Sequence, residues 1–258
     1  MNKNLNRRKI ISINKKNIIY VFLILLIAII VMFFYLYKNI IFYKFYNLTE
    51  KFSQIFQYEL IYINANGLSK VSYDFIKSKI KKHIESSIFL LPLDNISKDL
   101  KENNWIKNLN LRTNYKDTIY IEIEEYLPIG LYNFNGRNFY FDKNGKIIEE
   151  IPNKLIDSEQ LIIFSGQSSN KQAINLIKIM EINNFSKNFI IKKADYIQKR
   201  RWDVYLKNNI KLMLSERSPK ESLINFMTIE KKISEIEMND IKHFDLRNIE
   251  KTIITYNQ

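Results

Sequence analysis

The feature that most constrains this chain is Ile18–Tyr37, a run of 20 residues without charge, proline or glycine. At about 1.5 Å per residue, a helix of that length spans roughly 30 Å, the thickness of the hydrocarbon layer of a bilayer. No second run of this kind occurs in the 258 residues. We therefore predict a single-pass membrane protein with a transmembrane helix at residues 18–38 and most of its mass beyond that helix.

The charges on either side of the run predict its orientation. The tail, residues 1–17, carries six basic residues and no acid, whereas the lysines after the run are sparse and partly offset by Glu50. The positive-inside rule therefore leaves the tail in the cytoplasm and exports the rest of the chain. A cleaved signal peptide is the alternative, but it predicts a shorter apolar stretch followed by small residues. The run here ends in Met32–Tyr37, a poor cleavage site, which favours an uncleaved anchor.

Composition excludes several classes of site. The chain has no cysteine, so it has no disulfide, thiolate metal site or cysteine nucleophile. The net charge is +13, of which the tail supplies +6, and the remainder is spread over a chain rich in Lys, Asn and Ile. No basic cluster with interleaved aromatic residues is present, which argues against a nucleic-acid partner.

The periodicity after the anchor predicts a juxtamembrane stalk and a small α+β unit. Residues 39–57 have aromatic residues at near-helical spacing, so we expect a helical stalk, with a loose linker as the alternative. Residues 58–126 then read strand, helix, helix, strand, strand, with two helices on one face of a three-stranded sheet. The predicted strands are Leu60–Ala65, Trp105–Thr113 and Thr118–Glu125. The first predicted helix starts at Ser72 and has an apolar stripe at Ile76, Ile80 and Ile84, and the second is Pro92–Asn103.

The remainder, residues 127–258, predicts a larger β-rich domain with helices. Asn135-Gly136 indicates a hairpin, Ser169 with Gln172 a capping box, and Ser218-Pro219 the start of a long helix. The predicted strands are Ile129–Phe134, Asn138–Phe141, Leu161–Phe164, Ile190–Ile197, Trp202–Leu206, Ile210–Leu214, Ile241–Leu246 and Lys251–Tyr256, and the long helix is Ser218–Ile236. The predicted class of the whole chain is α+β.

The order of these elements, with the residues in them, resembles the bacterial cell-division protein family FtsQ, called DivIB in Gram-positive bacteria. The small unit looks like a POTRA domain, and the resemblance covers nearly the whole chain. The matching segments are Gly67, Phe89–Leu91, Trp105-Ile106, Ile119–Ile123, the junction Glu124–Tyr132, the turn Phe141–Gly145, Arg201–Leu206 and Asp245–Arg247. Two positions depart from the pattern: Lys116 stands where many relatives have proline, and Asn248 stands where an aromatic residue is common.

The resemblance implies an essential divisome scaffold without a cofactor, not an enzyme. Such proteins bind two small single-pass partners, FtsB and FtsL, contact other divisome components and help recruit the septal cell-wall synthesis machinery. They are type II proteins of the inner membrane, with their bulk in the periplasm, and they act at the division septum. Another membrane-anchored POTRA protein, of secretion or outer-membrane assembly, and an anchored periplasmic hydrolase are the alternatives.

The resemblance also implies where the partner binds. The FtsB contact in relatives is a strand added to the edge of the last β-strand, beside the preceding helix, here Ser222–Ile236. Tyr256 is a plausible anchor because interfaces favour tyrosine. In the alternative, Tyr256 only caps the core and Arg247 pairs with a local acid. The candidate partner-binding residues are Phe226, Glu230, Arg247, Asn248, Lys251, Thr252, Ile253, Ile254, Thr255 and Tyr256.

No residue pattern predicts catalysis or metal binding. Of the two histidines, we interpret His83 as a solvated surface residue and His243, despite Asp245 nearby, as structural. Glu122, Glu124 and Glu125 alternate with apolar residues, which favours the polar face of a strand over a carboxylate pair for glycoside cleavage. The chain also lacks a Gly-x-Ser-x-Gly elbow, a His-Glu-x-x-His signature and a phosphate-binding glycine loop.

Overall fold

A computed structural model describes residues 15–158, 160–182 and 184–257. Within them the α-helices are α1 (Lys15–Phe56), α2 (Tyr73–Ile80), α3 (Leu93–Leu100), α4 (Ser169–Ile182), α5 (Phe185–Asn188), α6 (Pro219–Glu230) and α7 (Glu235–Asn239). The strands are β1 (Tyr62–Asn66), β2 (Ile106–Thr113), β3 (Thr118–Glu125), β4 (Gly130–Phe134), β5 (Arg137–Phe141), β6 (Ile147–Ile151), β7 (Ile163–Ser165), β8 (Ile191–Ile197), β9 (Arg201–Leu206), β10 (Lys211–Leu214), β11 (Ile241–Leu246) and β12 (Ile253–Tyr256). Short 3-10 helices occur at Lys81–His83, Ile88–Leu90 and Asn153–Ser158.

The anchor and the stalk form one helix, α1, of 42 residues. Its apolar side chains are exposed from Ile19 to Tyr37, as expected for a helix surrounded by lipid. It is the single helix among the described residues that is long and apolar enough to cross a membrane. The helical stalk is confirmed, and α1 ends where Gln57 takes a positive φ of 58°. Most of the predicted cytoplasmic tail lies outside the described residues.

The first sheet has three strands in the order β1-β3-β2, and the strand-helix-helix-strand-strand order is confirmed. β3 has the predicted bounds, and Ile119, Ile121 and Ile123 alternate inward from it. The first helix is shorter than predicted, since α2 ends at Ile80. Ile84 lies beyond a 3-10 turn and is only half-buried. Hydrogen bonding to the Ser72 side chain nevertheless starts α2 as predicted, because Phe75 N–H donates to its Oγ at 3.2 Å.

The second sheet has nine strands in the order β12-β11-β10-β9-β8-β7-β4-β5-β6. The pairs β10–β11, β7–β8 and β4–β7 are parallel and the others are antiparallel. The hairpin at Asn135-Gly136 is confirmed, with both residues at positive φ. β6 has no counterpart in the prediction, because the sequence Ile-Ile-Glu-Glu-Ile does not alternate with the period of a strand.

One predicted helix start and one predicted helix end in this part of the chain differ from the structure. The Ser169 hydroxyl is buried without a hydrogen-bond partner among the described residues, so the expected capping box does not form there. The long helix ends at Glu230 rather than Ile236. A capping box between Ser234 and Glu237 instead starts the separate helix α7. The reason is local: a satisfied cap competes with continuation of the preceding helix.

The chain divides into two compact units. One contains the described residues up to Asn64 together with Ile80–Leu93 and Arg112–Tyr120. The other contains Ala65–Lys79, Asp94–Leu111 and the described residues from Ile121 onward. The domain limits expected from the sequence, 58–126 and 127–258, stay a prediction.

Candidate protein-binding edge

β12 lies at one edge of the nine-stranded sheet and pairs only with β11 in the described part of the chain. The register is antiparallel, with Phe244 opposite Ile254 and Asp245 opposite Ile253. The N–H of Asn257, just after the strand, donates to the Asp240 carbonyl at 2.7 Å. Successive residues of a strand direct their main-chain groups to opposite sides. The N–H and C=O groups of Ile254 and Tyr256 therefore point to the free edge.

The side chains of β12 divide between core and surface. Ile254 is half-buried and packs against the core cluster that contains Phe244. Ile253 is 52% exposed and Tyr256 is 51% exposed, and neither belongs to that cluster. The edge therefore offers main-chain groups together with an exposed isoleucine and tyrosine. Both kinds of group are needed for the strand-addition mode of recognition.

Helix α6 holds β11 and the segment that leads into β12. The Ser222 hydroxyl donates to the Leu246 carbonyl at 2.9 Å, and the Asn225 amide donates to the Ile249 carbonyl at 2.7 Å. Both carbonyls lie at or just after the end of β11, so these two bonds set where the chain turns back. Sequence reasoning did not identify Ser222 and Asn225 as site residues, because no local pattern distinguishes them from other polar residues of a helix.

Phe226 is buried rather than available to a partner. Its side chain has 0% exposure, and its ring packs edge-to-face on Phe244 with centroids 5.0 Å apart. It also contacts the rings of Phe185 and Phe189. The prediction that Phe226 contacts a partner directly therefore needs correction. The helical period places it on the inner face of α6, where its apolar surface is covered by the sheet.

Arg247 follows β11 and is bound to Asp245. Its Nε lies 2.9 Å from Asp245 Oδ1 and its Nη2 lies 2.6 Å from Oδ2, a two-point pairing. These hydrogen bonds hold the pKa of the Asp245 carboxyl below its ordinary value, and the carboxylate raises the pKa of Arg247. The local pairing considered as the alternative for Arg247 is therefore present.

The remaining predicted residues lie in two places. Lys251 and Thr252 precede β12 rather than belonging to it, because the strand starts at Ile253. Asn248 is exposed and its side chain accepts a hydrogen bond from Glu250 N–H at 2.9 Å. A shallow depression brings together Asp245, Arg247, Asn248, Lys251 and Ile253.

Glu230 lies apart from that depression. It is the last residue of α6 and lines a separate groove with Ile233, Met238 and Asn239. The structure therefore groups the loop residues with the start of β12, but it does not bring Glu230 into that group.

Strands β9 and β10 carry a charged cluster. Asp203, with a side chain only 2% exposed, lies 2.9 Å from Lys211 Nζ and 3.5 Å from Arg201 Nε. Burial alone would lower the pKa of Lys211, but the hydrogen bond and charge of Asp203 raise it above its ordinary value. Met213 lies opposite both Asp203 and Asp245 in the strand pairing, so the cluster is in register with Asp245 on β11. The buried charge is paired, as its low exposure requires.

The acidic residues considered for catalysis have structural roles. Glu124 binds Lys107 and Asn108. Glu125 accepts hydrogen bonds from the main-chain N–H groups of Ser69, Lys70 and Val71 at 2.8–3.1 Å. Burial opposes ionisation of Glu125, yet these hydrogen bonds lower its pKa overall.

The two histidines lie in different settings. His83 is half-buried rather than fully solvated, and His243 lies on β11 opposite Lys211. Among the residues described, no group of three or more His, Cys, Asp or Glu side chains is arranged to hold a metal.

Comparison with known proteins identifies relatives over most of the chain. The C-terminal domain of the cell division protein FtsQ/DivIB family matches residues 130–247, and the FtsQ-type POTRA domain matches residues 60–126. A cell division protein FtsQ of Rickettsia felis is 30% identical over 202 residues, covering 76% of this chain and 72% of the relative. The cell division protein FtsQ of Rickettsia typhi is 30% identical over 224 residues, which cover 85% of this chain and 77% of that relative. The match to the C-terminal domain ends at Arg247, before β12 begins.

Proposed function

The chain belongs to the FtsQ/DivIB family of cell-division proteins, and from this premise we propose that it is a non-catalytic scaffold of the divisome. It is a membrane-anchored cell-division protein. In our proposal it sits in the inner membrane as a type II protein, with its bulk in the periplasm and its site of action at the septum. It binds FtsB- and FtsL-like single-pass proteins there and links them to septal cell-wall synthesis.

The observation that carries this proposal is the free edge of β12. The main-chain groups of Ile254 and Tyr256 point away from β11, which makes the edge a template for an added strand. Exposed strand edges are commonly blocked by charge or proline, whereas β12 has neither, reading Ile-Ile-Thr-Tyr. An added FtsB-like strand would satisfy these groups and cover the exposed side chains of Ile253 and Tyr256.

The loop before β12 supplies the selective part of the proposed contact. Arg247, Asn248 and Lys251 line one depression with Ile253, so an acidic residue of the partner can reach two basic side chains there. Because Arg247 already binds Asp245, a partner carboxylate would share or replace that pair rather than meet a free guanidinium. We therefore expect Tyr256 and the main chain to supply affinity and Arg247 to supply discrimination.

The experiment is co-purification of the full-length protein with its own FtsB- and FtsL-like partners. The intact chain is compared with a chain that ends before Lys251 and with Tyr256→Ala. Tyr62→Ala is the matched control, since Tyr62 is a similarly exposed tyrosine on β1, at 60%. We expect the truncation to abolish recovery of the FtsB-like partner and Tyr256→Ala to weaken it. Unchanged circular dichroism would exclude unfolding as the cause.

The outcomes separate the parts of the proposal. Binding that survives truncation moves the contact away from β12 but keeps the scaffold function. No binding by the intact chain contradicts the scaffold function itself. Loss of binding by Tyr62→Ala as well would show that the tyrosine effect is not specific to β12.

A further inference from the structure

Helix α1 extends well beyond the membrane-spanning run. From Tyr37 to Phe56 it continues for 19 residues, which at about 1.5 Å per residue adds roughly 28 Å. This stalk carries large apolar side chains, although it lies outside the hydrocarbon layer. Contiguous exposed apolar surface of that kind marks an interaction site in soluble regions of proteins.

The apolar side chains of the stalk form one stripe. Its members are four and three residues apart in alternation, the spacing of d and a positions in a coiled-coil heptad. We call this set the stalk stripe: Ile41, Phe45, Leu48, Phe52 and Ile55, which are 38%, 62%, 67%, 46% and 74% exposed. A strict four-three spacing presents a narrow seam to a single neighbouring helix.

The polar side of the same helix is already occupied. Ser53 is fully buried and its Oγ lies 2.6 Å from Ser87 Oγ, while Glu50 accepts a hydrogen bond from Ser87 N–H at 3.2 Å. Glu50 and Ser53 are three residues apart and so share a face. Ser53 lies about 100° around the helix from Phe52. The stalk is therefore fastened through its polar face and through Phe52, whose ring stacks on Tyr58, while the other four members of the stalk stripe are exposed.

Lipid does not account for the outer half of the stripe. Along the helix axis, Leu48 lies about 16 Å and Ile55 about 27 Å beyond Tyr37. The interfacial layer outside the hydrocarbon is only about 5–8 Å thick on each side. Even with a tilt of about 20°, these residues stand outside the bilayer. A protein helix that leaves the membrane beside α1 can cover the stripe along its whole length.

The flanking charges distinguish a different protein from a second copy of this chain. With Phe45 and Phe52 at a positions, the g positions are Lys44 and Lys51, both exposed. The e positions are Phe42, Thr49 and Phe56. In a parallel pair of identical helices each g lysine would face Thr49 or Phe56 of the other copy, with no acid. A partner helix with Asp or Glu at its own e positions would instead pair with Lys44 and Lys51.

We propose that the stalk stripe binds, in parallel, the juxtamembrane helix of another single-pass membrane protein with an apolar heptad seam and acidic e positions. The contact goes beyond the β12 edge and does not depend on it, since α1 and β12 share no residue. It would hold the partner at the membrane surface through an α1 that is already bound to Ser87.

The test is site-specific photo-crosslinking of the full-length protein in living cells. A benzoylphenylalanine probe replaces Leu48 or Ile55 on the stripe. Gln54, which is exposed but lies on another face of the helix, carries the probe in the matched control. We expect both stripe positions, and not Gln54, to crosslink to one single-pass protein. Mass spectrometry identifies that protein and so reveals the residues at its e positions.

Charge reversal tests the flanking lysines. The double variant Lys44→Glu/Lys51→Glu should lose the crosslink from Leu48 while keeping expression and circular dichroism. Crosslinking only to a second copy, equal crosslinking from Gln54, absence of any protein crosslink, or insensitivity to charge reversal would each overturn the proposal. The co-purification experiment tests the β12 contact and the crosslinking experiment tests the stalk stripe. A negative result in one therefore does not imply a negative result in the other.

Discussion

Gly67 shows how a single side chain can be excluded by its surroundings. Its φ is +81°, and a Cβ built there would lie 1.9 Å from the Ile123 carbonyl oxygen. Gly136 has a similar φ of +77°, but no atom lies within 4 Å of its Cβ position. Both glycines follow asparagine in the sequence, so the local sequence does not distinguish them. Only the packing distinguishes a glycine needed for its conformation from one needed also for its lack of a side chain.

Gly67→Ala is expected to destabilise the protein more than Gly136→Ala. Each substitution places an alanine in the left-handed backbone region, which destabilises the fold by about 1–2 kcal/mol. Only Gly67→Ala also forces a main-chain carbonyl to move, which costs about 1–3 kcal/mol more. Urea unfolding followed by tryptophan fluorescence measures the difference between the two variants. Equal losses of stability would contradict the close approach to Ile123.

The pair between Asp245 and Arg247 should make stability depend on pH in one direction. Because the folded-state pKa of Asp245 is lowered, the pair contributes above about pH 4, the ordinary carboxyl value, and this contribution is lost as the pH falls through the lowered pKa. Arg247→Ala should raise the pKa of Asp245 towards its ordinary value and cost about 0.2–1 kcal/mol near pH 7, since the arginine is half exposed.

NMR titration of the Asp245 carboxyl measures this shift directly. Arg137→Ala is the control, because that exposed arginine pairs with Glu150 and not with Asp245. An Asp245 pKa unchanged by Arg247→Ala would show that another group lowers it.

At the scale of elements, the candidate edge depends on how α6 is attached. β12 has few residues and one neighbour, so its position follows from the turn after β11. The Asn225 amide holds the Ile249 carbonyl in that turn, and the Ser222 hydroxyl holds the Leu246 carbonyl. A short edge strand with one partner belongs to the least protected parts of a fold.

Asn225→Ala is expected to loosen β12 without unfolding the sheet. Removing the amide leaves the Ile249 carbonyl without this donor, at a cost of about 1 kcal/mol. Hydrogen exchange should therefore accelerate at Ile253–Tyr256 but not in β9. The control is Asn175→Ala, which removes an exposed amide bonded to Gln172 in α4. Equal exchange in both variants would show that α6 does not position the edge.

At the scale of the whole molecule, α1 continues from the membrane segment to the buried contact of Ser53. The helix end is held by the Ser53–Ser87 hydrogen bond and by Phe52, whose ring stacks on Tyr58 at 6.1 Å between centroids. Tyr58 in turn contacts Phe89. The end of α1 is therefore joined to the segment around Ser87 and Phe89 by packed side chains.

Ser53→Leu is expected to detach the end of α1 from the Ser87 segment. A leucine has no room where the serine is fully buried, so overpacking of about 1–3 kcal/mol separates the two. Limited proteolysis of the full-length protein should then cut faster near Gln57. Gln54→Leu is the control, because position 54 is exposed. Equal protection of both variants would contradict the packed junction.

The sequence by itself determined the features that depend on near neighbours. The uncharged run predicts the membrane helix, alternation around Ile121 predicts β3, and Asn135-Gly136 predicts the hairpin, because each depends on residues a few positions apart. Only the tertiary structure decided that β12 pairs with β11 at the end of a nine-stranded sheet and that Phe226 enters the core. Strand order and burial arise from pairings between distant residues, and no local period records them.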